Sequence, residues 1–512
     1  MQAVACCSQL LRYTNMLLLG IDLGTSSIKV SVVDATTNTK IVSTSFPDSE
    51  AAILSAKVGW AEQDPLTWWS DTKEAIKKAH QSGLYNPKDI GAIGIAYQMH
   101  GLVVVDKAHK PLRNAIIWCD SRAVELGNEA FSQLKEQAFL GAHLNSPGNF
   151  TASKLAWVKQ YEPELYEQIH KFMLPGDYLS MCFTGEINSN VSSISEGILW
   201  NFEKHQLSAS LLSYYGIEES LVPHLLPVFS TYGKIRPSVA DELGFSSDVV
   251  VSFKAGDQPN NALSLNVFEP GEVAATAGTS GVIYAVTDKL VYDKQSRVNT
   301  FAHVNYQDNN PNLGVLLCIN GTGIQNSWLK KITAMGYDYP QINERAAAVP
   351  IGSEGVQILP FGNGAERMLL NKTVHAHIEN LDFVRHDAAH LWRAAQEGIA
   401  FAFRYGLDIM RENGIQPEII RAGHANLFLS PVFQQSFAGA TGVGVELYDN
   451  DGSVGAALGA GLGAGVYRDR GDAFSGLKKH VTIEPTNVER YQELYDKWKR
   501  SLEWRLKVIE EL

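Results

Sequence analysis

Cysteine is scarce in this 512-residue chain, with five in all, at Cys6, Cys7, Cys119, Cys182 and Cys318. Their number is odd, their surroundings are mostly apolar, and no CxxC spacing occurs. That argues against a disulfide scaffold and a thiolate zinc site, and fits a reducing cytoplasm. Long apolar runs are also missing: none reaches the roughly 18 residues of a membrane span. Positive charge is in deficit, with 43 Lys and Arg against 55 Asp and Glu and a net charge of -12. A protein whose main partner is nucleic acid would favour a basic face, so this balance argues against one. It leaves room for a nucleotide, whose phosphates Mg²⁺ and backbone N–H groups can neutralise. There is no GxxxxGK followed by Ser or Thr, so the P-loop route to a nucleotide is closed. Met1 to Asn15 lacks the order of a signal peptide; it is expected to be an extension that adds nothing to the fold.

What the chain does have is an ordinary globular composition, 45% hydrophobic and 19% charged, and more length than one core usually fills. Two domains of similar size are expected, at 16–265 and 266–512, after the extension 1–15. Both halves follow one order of elements. In the first, the apolar run Leu17 to Asp22 reads as a strand, Leu23-Gly24-Thr25-Ser26-Ser27 as a turn and Ile28 to Asp34 as an alternating strand. A third strand lies near Lys40 to Phe46. Asp64 and Pro65 then start a helix, with Trp68, Trp69, Ala75 and Ile76 toward the core, and Gly91 to Tyr97 is another strand. In the second half Glu272 to Thr276, the turn Gly278-Thr279-Ser280, Val282 to Val286, Gly314 to Ile319, a helix over 388–411 and Glu418 to Ala422 repeat the order. The implied fold is α/β, with two related domains each offering a turn to a ligand between them. The tail 488–512 reads as a closing helix striped by Tyr491, Leu494, Trp498, Leu502 and Leu506.

The most informative residue is Asp257. It follows the apolar run Val249 to Phe253 and Gly256, so it is expected on an exposed loop at a strand end, where a carboxylate can take a proton from a bound hydroxyl. Gly278-Thr279-Ser280-Gly281, like Gly24-Thr25-Ser26-Ser27, has the hydroxyls and N–H groups of a phosphate cradle. Asp22, at the end of a buried strand, needs a partner or a metal; capping of its own turn competes with water-mediated Mg²⁺. His100, in Gln98-Met99-His100-Gly101 between two strands, is a candidate for a sugar hydroxyl. Asp120 and Arg122 read equally well as a simple surface ion pair. Gly321-Thr322-Gly323 and Gly423-His424-Ala425-Asn426 precede helix-like segments, whose N-termini favour anions.

These segments, in this order, resemble the FGGY carbohydrate kinases of the actin-like ATPase superfamily, over Met16 to about Tyr467. Carrying the resemblance are Gly20-Ile21-Asp22-Leu23-Gly24-Thr25-Ser26, Gly59-Trp60-Ala61-Glu62-Gln63-Asp64-Pro65, Gly256-Asp257-Gln258, Ala277-Gly278-Thr279-Ser280-Gly281 and Gly364-Ala365-Glu366-Arg367. Gln98-Met99-His100-Gly101-Leu102 is most similar to the xylulokinase branch, although Gln258 stands where Asn is common there. The resemblance implies two actin-like (ribonuclease H-like) domains flanking a central cleft, and ATP-dependent phosphorylation of D-xylulose. A sister kinase for ribulose, fuculose or glycerol is the nearest alternative, and an actin-like ATPase or sugar sensor without kinase activity is a more distant one. It implies Asp257 as proton acceptor, with Met99, His100 and Gln258 on the sugar and Asp22 serving Mg²⁺. Thr25, Ser26, Gly278, Thr279, Gly323, Gly423 and Asn426 fall to ATP. The expected partners are thus a small sugar and MgATP in the cytoplasm, with no nucleic acid and no membrane; a homodimer is one assembly open to it.

Overall fold

The computed structural model describes residues 16–334, 336–449 and 451–511; the expected extension, with Cys6 and Cys7, lies outside them. The chain divides into two compact units. The first comprises the chain up to Phe268 with Phe301–Leu313 and Asp451–Leu477, and the second comprises Glu269–Thr300, Gly314–Asn450 and Lys478–Leu512.

The first unit is built on strands β1 (Leu17–Leu23), β2 (Ile28–Asp34), β3 (Thr39–Phe46), β4 (Ile90–Tyr97), β5 (Phe229–Lys234) and β6 (Val250–Gly256), in the order β5–β6–β4–β1–β2–β3. β1, β2 and β3 form antiparallel hairpins, while β4 runs parallel to β1 and β6 parallel to β4. The near-continuous apolar run of β1 suits a central strand covered on both faces, and every residue of it but Asp22 is buried. One cover is the Pro65–His80 helix, capped by Asp64, which accepts the Leu66 N–H at 2.9 Å. Trp68, Ala75, Ile76 and Ala79 of this helix are buried, and Trp69 packs at the edge of the same core.

The other cover is the Gly452–Gly463 helix, whose sequence is almost entirely Gly, Ala, Ser and Leu. It lies on the sheet with nothing between the two backbones. A Cβ on Gly20 would stand 1.7 Å from the Ser453 carbonyl oxygen, and one on Gly94 would stand 1.9 Å from that of Ala456. From the helix side, a Cβ on Gly463 would meet the Ser252 carbonyl oxygen at 1.8 Å. Backbone cannot step aside as a side chain can, so all three positions admit only glycine.

The second unit carries β7 (Glu272–Ala277), β8 (Gly281–Thr287), β9 (Asn299–Ala302), β10 (Leu313–Ile319), β11 (Ile419–Gly423), β12 (Val445–Tyr448) and β13 (Lys479–Ile483). Their order is β9–β10–β8–β7–β11–β12–β13. β7 and β8 form an antiparallel hairpin and β11 runs parallel beside β7, just as β4 runs beside β1. The repeated strand–turn–strand order is therefore a repeated topology. The Ala388–Glu412 helix buries most of its length, and its Phe403 and Leu407 share one core with Ile283 and Leu317 of this sheet. The Val488–Glu511 helix seals the core with Tyr491, Leu494, Trp498 and Leu502, and its Trp498 indole donates to the Ile358 carbonyl at 2.9 Å. Among the described residues no helix is long and apolar enough to cross a membrane.

Gly20→Ala is expected to cost at least about 1–3 kcal/mol, the usual range for overpacking a filled core. A thermal melt that matches the parent protein would contradict this account of the helix–sheet contact.

Candidate functional site

Asp22, next to last in β1, lies beside the start of the Gly452–Gly463 helix: a Cβ on Gly452 would lie 2.5 Å from its Oδ2. Burial and the neighbouring Asp451 carboxylate push the pKa of Asp22 up to about 6, with Lys29 opposing them. Asp451 itself is ion-paired to Lys29 at 2.8 Å, which holds it below the usual carboxylate range against its own burial. Asp257 is not on an exposed loop as expected. It is the first residue of the Asp257–Ser264 helix, which starts directly as β6 ends. Strand and helix meet without a linker because Gly256 packs tightly: a Cβ there would fall 2.6 Å from Met99 Cγ and 2.9 Å from Glu196 Oε2. Burial first, and the Asp22 carboxylate second, push the pKa of Asp257 up to about 7, while hydrogen bonds from Gln258 and its own backbone N–H act against them.

The turn after β4 brings Met99 and His100 to the same neighbourhood. Met99 is buried. His100 sits in the left-handed region at φ 61°, a conformation that costs energy unless its surroundings hold it. Lys154 does so, donating from its buried ammonium to the carbonyls of His100 at 2.8 Å and Ile117 at 3.0 Å. Burial lowers the pKa of Lys154 to about 7 even with Asp120 nearby. The His100 ring packs edge-on to Phe150 at 4.7 Å and lies 5.3 Å from Phe301, with Nδ1 3.1 Å from the Glu196 carbonyl.

Sequence reasoning missed Glu196. Its side chain is buried, Oε1 accepts from the Tyr97 hydroxyl at 2.7 Å, and Oε2 has no hydrogen-bond partner among the described residues. Burial drives its pKa well above the carboxylate range, helped by the Asp257 charge. Three acidic side chains, Asp22, Asp257 and Glu196, thus share one unit and all favour holding protons. The gap between a lone Glu and its distant partners leaves no sequence signal for this grouping.

Thr25, expected near phosphates, is tied into the same unit: its hydroxyl accepts from the Trp118 indole at 2.9 Å and its carbonyl from the Gln63 amide at 2.8 Å. Gln63 also accepts from Gln98 at 2.9 Å and from the Trp68 indole at 3.1 Å. Ser26 is exposed at the hairpin, with its carbonyl accepting the Ala51 N–H at 2.7 Å. Asp120 and Arg122 are a correction. Both side chains are fully buried and paired at 2.7 Å, so they are no surface ion pair. Asp120 also accepts the Ala61 N–H at 2.6 Å, and the Arg122 guanidinium lies 3.8 Å from the Trp60 ring centre and 4.9 Å from that of Trp157. Stacking and bidentate pairing are what make a buried Arg tolerable. Of the described cysteines, Cys182 is buried and Cys119 and Cys318 are exposed.

In the second unit Gly278, Thr279, Gly323 and Asn426 line one cavity of about 780 Å³. The Gly278-Thr279 turn is held on the start of the Gly323–Thr333 helix: Gly323 N–H donates to Gly278 O at 2.9 Å and Ile324 N–H to Thr279 O at 3.1 Å. A Cβ on Gly323 would be 2.2 Å from Gly278 O, so this docking needs glycine. Glu366, buried, accepts the Asn320 N–H at 3.0 and 3.2 Å and so fixes the loop that leads into that helix; burial pushes its pKa to about 7. Ile324, Pro340, Leu427 and Leu429 give the cavity apolar walls, and Asn326, Ser327, Asn343 and Ser430 add polar groups. Gly423 ends β11 and does not line it. A mostly apolar chamber with a backbone-rich polar end suits a nucleotide. Among the described residues no three His, Cys, Asp or Glu side chains are grouped to hold a metal.

Residues 17–264 match the N-terminal domain, and residues 273–466 the C-terminal domain, of the FGGY family of carbohydrate kinases. The chain is 31% identical to a xylulose kinase of Staphylococcus epidermidis, over 93% of this chain and 95% of that one. It is 30% identical to a xylulose kinase of Haemophilus influenzae, over 79% and 81% respectively. A crystal structure described as a xyloylose kinase from Brucella ovis superposes with a TM-score of 0.84 at 26% identity, covering 96% of this chain and all of the other.

Arg122→Met should strip Asp120 of its buried partner and cost about 3–5 kcal/mol, as breaking a buried pair from one side does. Denaturant unfolding of the purified variant tests this; an unchanged midpoint would contradict it.

Proposed function

The chain belongs to the FGGY family of carbohydrate kinases, and we propose that its acceptor is D-xylulose, which it converts with ATP to D-xylulose 5-phosphate. The xylulose kinases of S. epidermidis and H. influenzae support that choice of sugar. The observation that carries the reading is Asp257, a half-buried carboxylate whose pKa is pushed up to about 7, in the same unit as the Met99-His100 turn. A base with a pKa near the working pH combines a useful ionised fraction with a real affinity for the proton.

Met99, His100 and Gln258 hold the sugar in this reading. Asp257 accepts the 5-hydroxyl proton as the bond from O5 to the γ-phosphorus forms and the bond from that phosphorus to the departing ADP oxygen breaks. Such transfer depends mainly on positioning and charge neutralisation. Gly278, Thr279, Gly323 and Asn426 hold the ATP, with Gly423 behind them at the end of β11 leading into the Asn426 turn, and Thr25 and Ser26 serve its phosphate end. Asp22 fits a Mg²⁺ ion: it is a hard oxygen donor, and the crowding by Asp451 that raises its pKa is relieved by a cation. With no larger cluster of ligands among the described residues, phosphate oxygens and water would complete the shell, as is usual for Mg²⁺. The ion would supply neutralisation of phosphate charge. We read the enzyme as cytoplasmic, acting on small molecules, with homodimerisation open to it.

In a coupled assay for ADP release over a panel of ketoses and polyols, D-xylulose should give the highest kcat/KM; a better ribulose, fuculose or glycerol value would overturn the substrate. Asp257→Asn should lower kcat by at least about 10²-fold, the lower end for loss of a general base, with a much smaller change in sugar KM. Near-normal turnover would remove Asp257 from the chemistry.

A further inference from the structure

The Thr151–Tyr161 helix opens against the turn 98–101 of the first unit and grips it at three points. The Phe150 ring, just before the helix, meets the His100 ring edge-on at 4.7 Å. The Thr151 hydroxyl donates to the Gly101 carbonyl at 3.3 Å, and Lys154 Nζ donates to the His100 carbonyl at 2.8 Å. Lys154 is the unfavourable member of the three. It is fully buried, and an ammonium taken out of water destabilises the fold unless other contacts offset it. Both of its hydrogen bonds among the described residues go to carbonyls. Asp120, whose charge favours the protonated lysine, is paired with Arg122. Charge pairing therefore does not account for a lysine at this position.

What Lys154 does is join a fixed carbonyl to a strained one. Its second bond, at 3.0 Å, is to the Ile117 carbonyl. The chain there is held without it: Ile116 exchanges two backbone hydrogen bonds with Leu102 at 2.9 and 3.1 Å, and the Ile117 N–H donates to the Ala61 carbonyl at 3.1 Å. His100 is the unstable end. At φ 61° its Cβ crowds the backbone, and glycine alone takes that conformation freely. Without the ammonium Ile117 would stay in place, while His100 would be free to relax to negative φ.

We propose that Lys154 is a positioning residue for the sugar: it holds the His100 turn bent before any sugar arrives, so that the bend does not weaken binding. The proposal rests on the reading that Met99 and His100 hold the sugar. Without Lys154 only the fraction of molecules with the turn bent would bind, and the apparent affinity would fall by that fraction. The sugar-bound state would be the same, so turnover at saturating sugar would hardly change.

The test compares Lys154→Met, His100→Gly and the double variant, with D-xylulose varied at saturating ATP. Lys154→Met should raise the xylulose KM about tenfold, the factor that a strain of about 1.4 kcal/mol imposes. Its kcat should stay within about threefold of the parent and its ATP KM within about twofold. Glycine needs no holding in the left-handed conformation, so adding Lys154→Met to His100→Gly should change the xylulose KM by less than about threefold. A lysine that only stabilises the fold would act alike in both backgrounds, so equal effects overturn the proposal, as does an unchanged KM in Lys154→Met. Should Lys154→Met fail to fold, a crystal structure of the sugar-free parent protein decides: His100 at positive φ is expected, and a turn relaxed to negative φ overturns the proposal. His100→Gly alone separates the two readings. If it leaves the xylulose KM unchanged, His100 does not hold the sugar, and that reading falls together with the proposal. If it raises the KM while Lys154→Met does not, only the role of Lys154 falls.

Discussion

The first unit depends on one contact, the backbone of the Gly452–Gly463 helix laid directly on β1 and β4. Gly20 and Gly94 on the strands, with Gly463 on the helix, leave no room for a single methyl group. The contact does more than fill the core. It brings Gly452 against the carboxylate of Asp22 and places Asp451, tethered by Lys29, beside it. A helix N-terminus favours an anion, yet burial and the second carboxylate outweigh it and leave Asp22 holding protons more tightly than an ordinary aspartate. A residue in that state has much to gain from a cation, so the packing of small residues and the candidate metal position are one arrangement.

The same tension runs through the rest of the site. Asp257 is raised by burial and by Asp22, and Glu196 by burial and by Asp257. Burial of a carboxylate is unfavourable for folding, and three of them in one unit make sense where a proton has to be received. Lys154 supplies the opposite charge without neutralising the group. It is spent on the carbonyls of His100 and Ile117, holding a left-handed turn in place. The second unit solves a different problem: its cavity is shaped by backbone contact at Gly323, and the buried Glu366 fixes the loop that leads into the helix there.

Much of this was legible in the sequence because it is local. β1 and β2 around Gly24-Thr25-Ser26, and β7 and β8 around Gly278-Thr279-Ser280, announce themselves by apolar runs broken by a glycine turn, and their recurrence gives the doubled topology. Asp64-Pro65 marks a helix start by capping chemistry alone. Asp257 stands out because a strand ends in Gly just before it, although the following residues were not recognisable as the start of a helix, with Pro259 inside the first turn. What stayed hidden is long-range. Nothing near Gly452 says that this segment returns to the first sheet, since a run of Gly and Ala fits any close backbone contact. Asp120 and Arg122, two residues apart, look like a surface pair until Trp60 and Trp157 close over the guanidinium. Gln63, Trp118 and Glu196 carry no pattern of their own, and only tertiary contact gives them a role.

The central claim is transfer of a phosphoryl group from ATP to a sugar hydroxyl. Phosphorus–proton correlation NMR on the products of a reaction containing only the protein, Mg²⁺, ATP and D-xylulose tests it most directly. The account predicts a new phosphate ester whose phosphorus couples to the two protons on C5, formed in equal amount to ADP. ADP accompanied only by inorganic phosphate, with the sugar recovered intact, would contradict it.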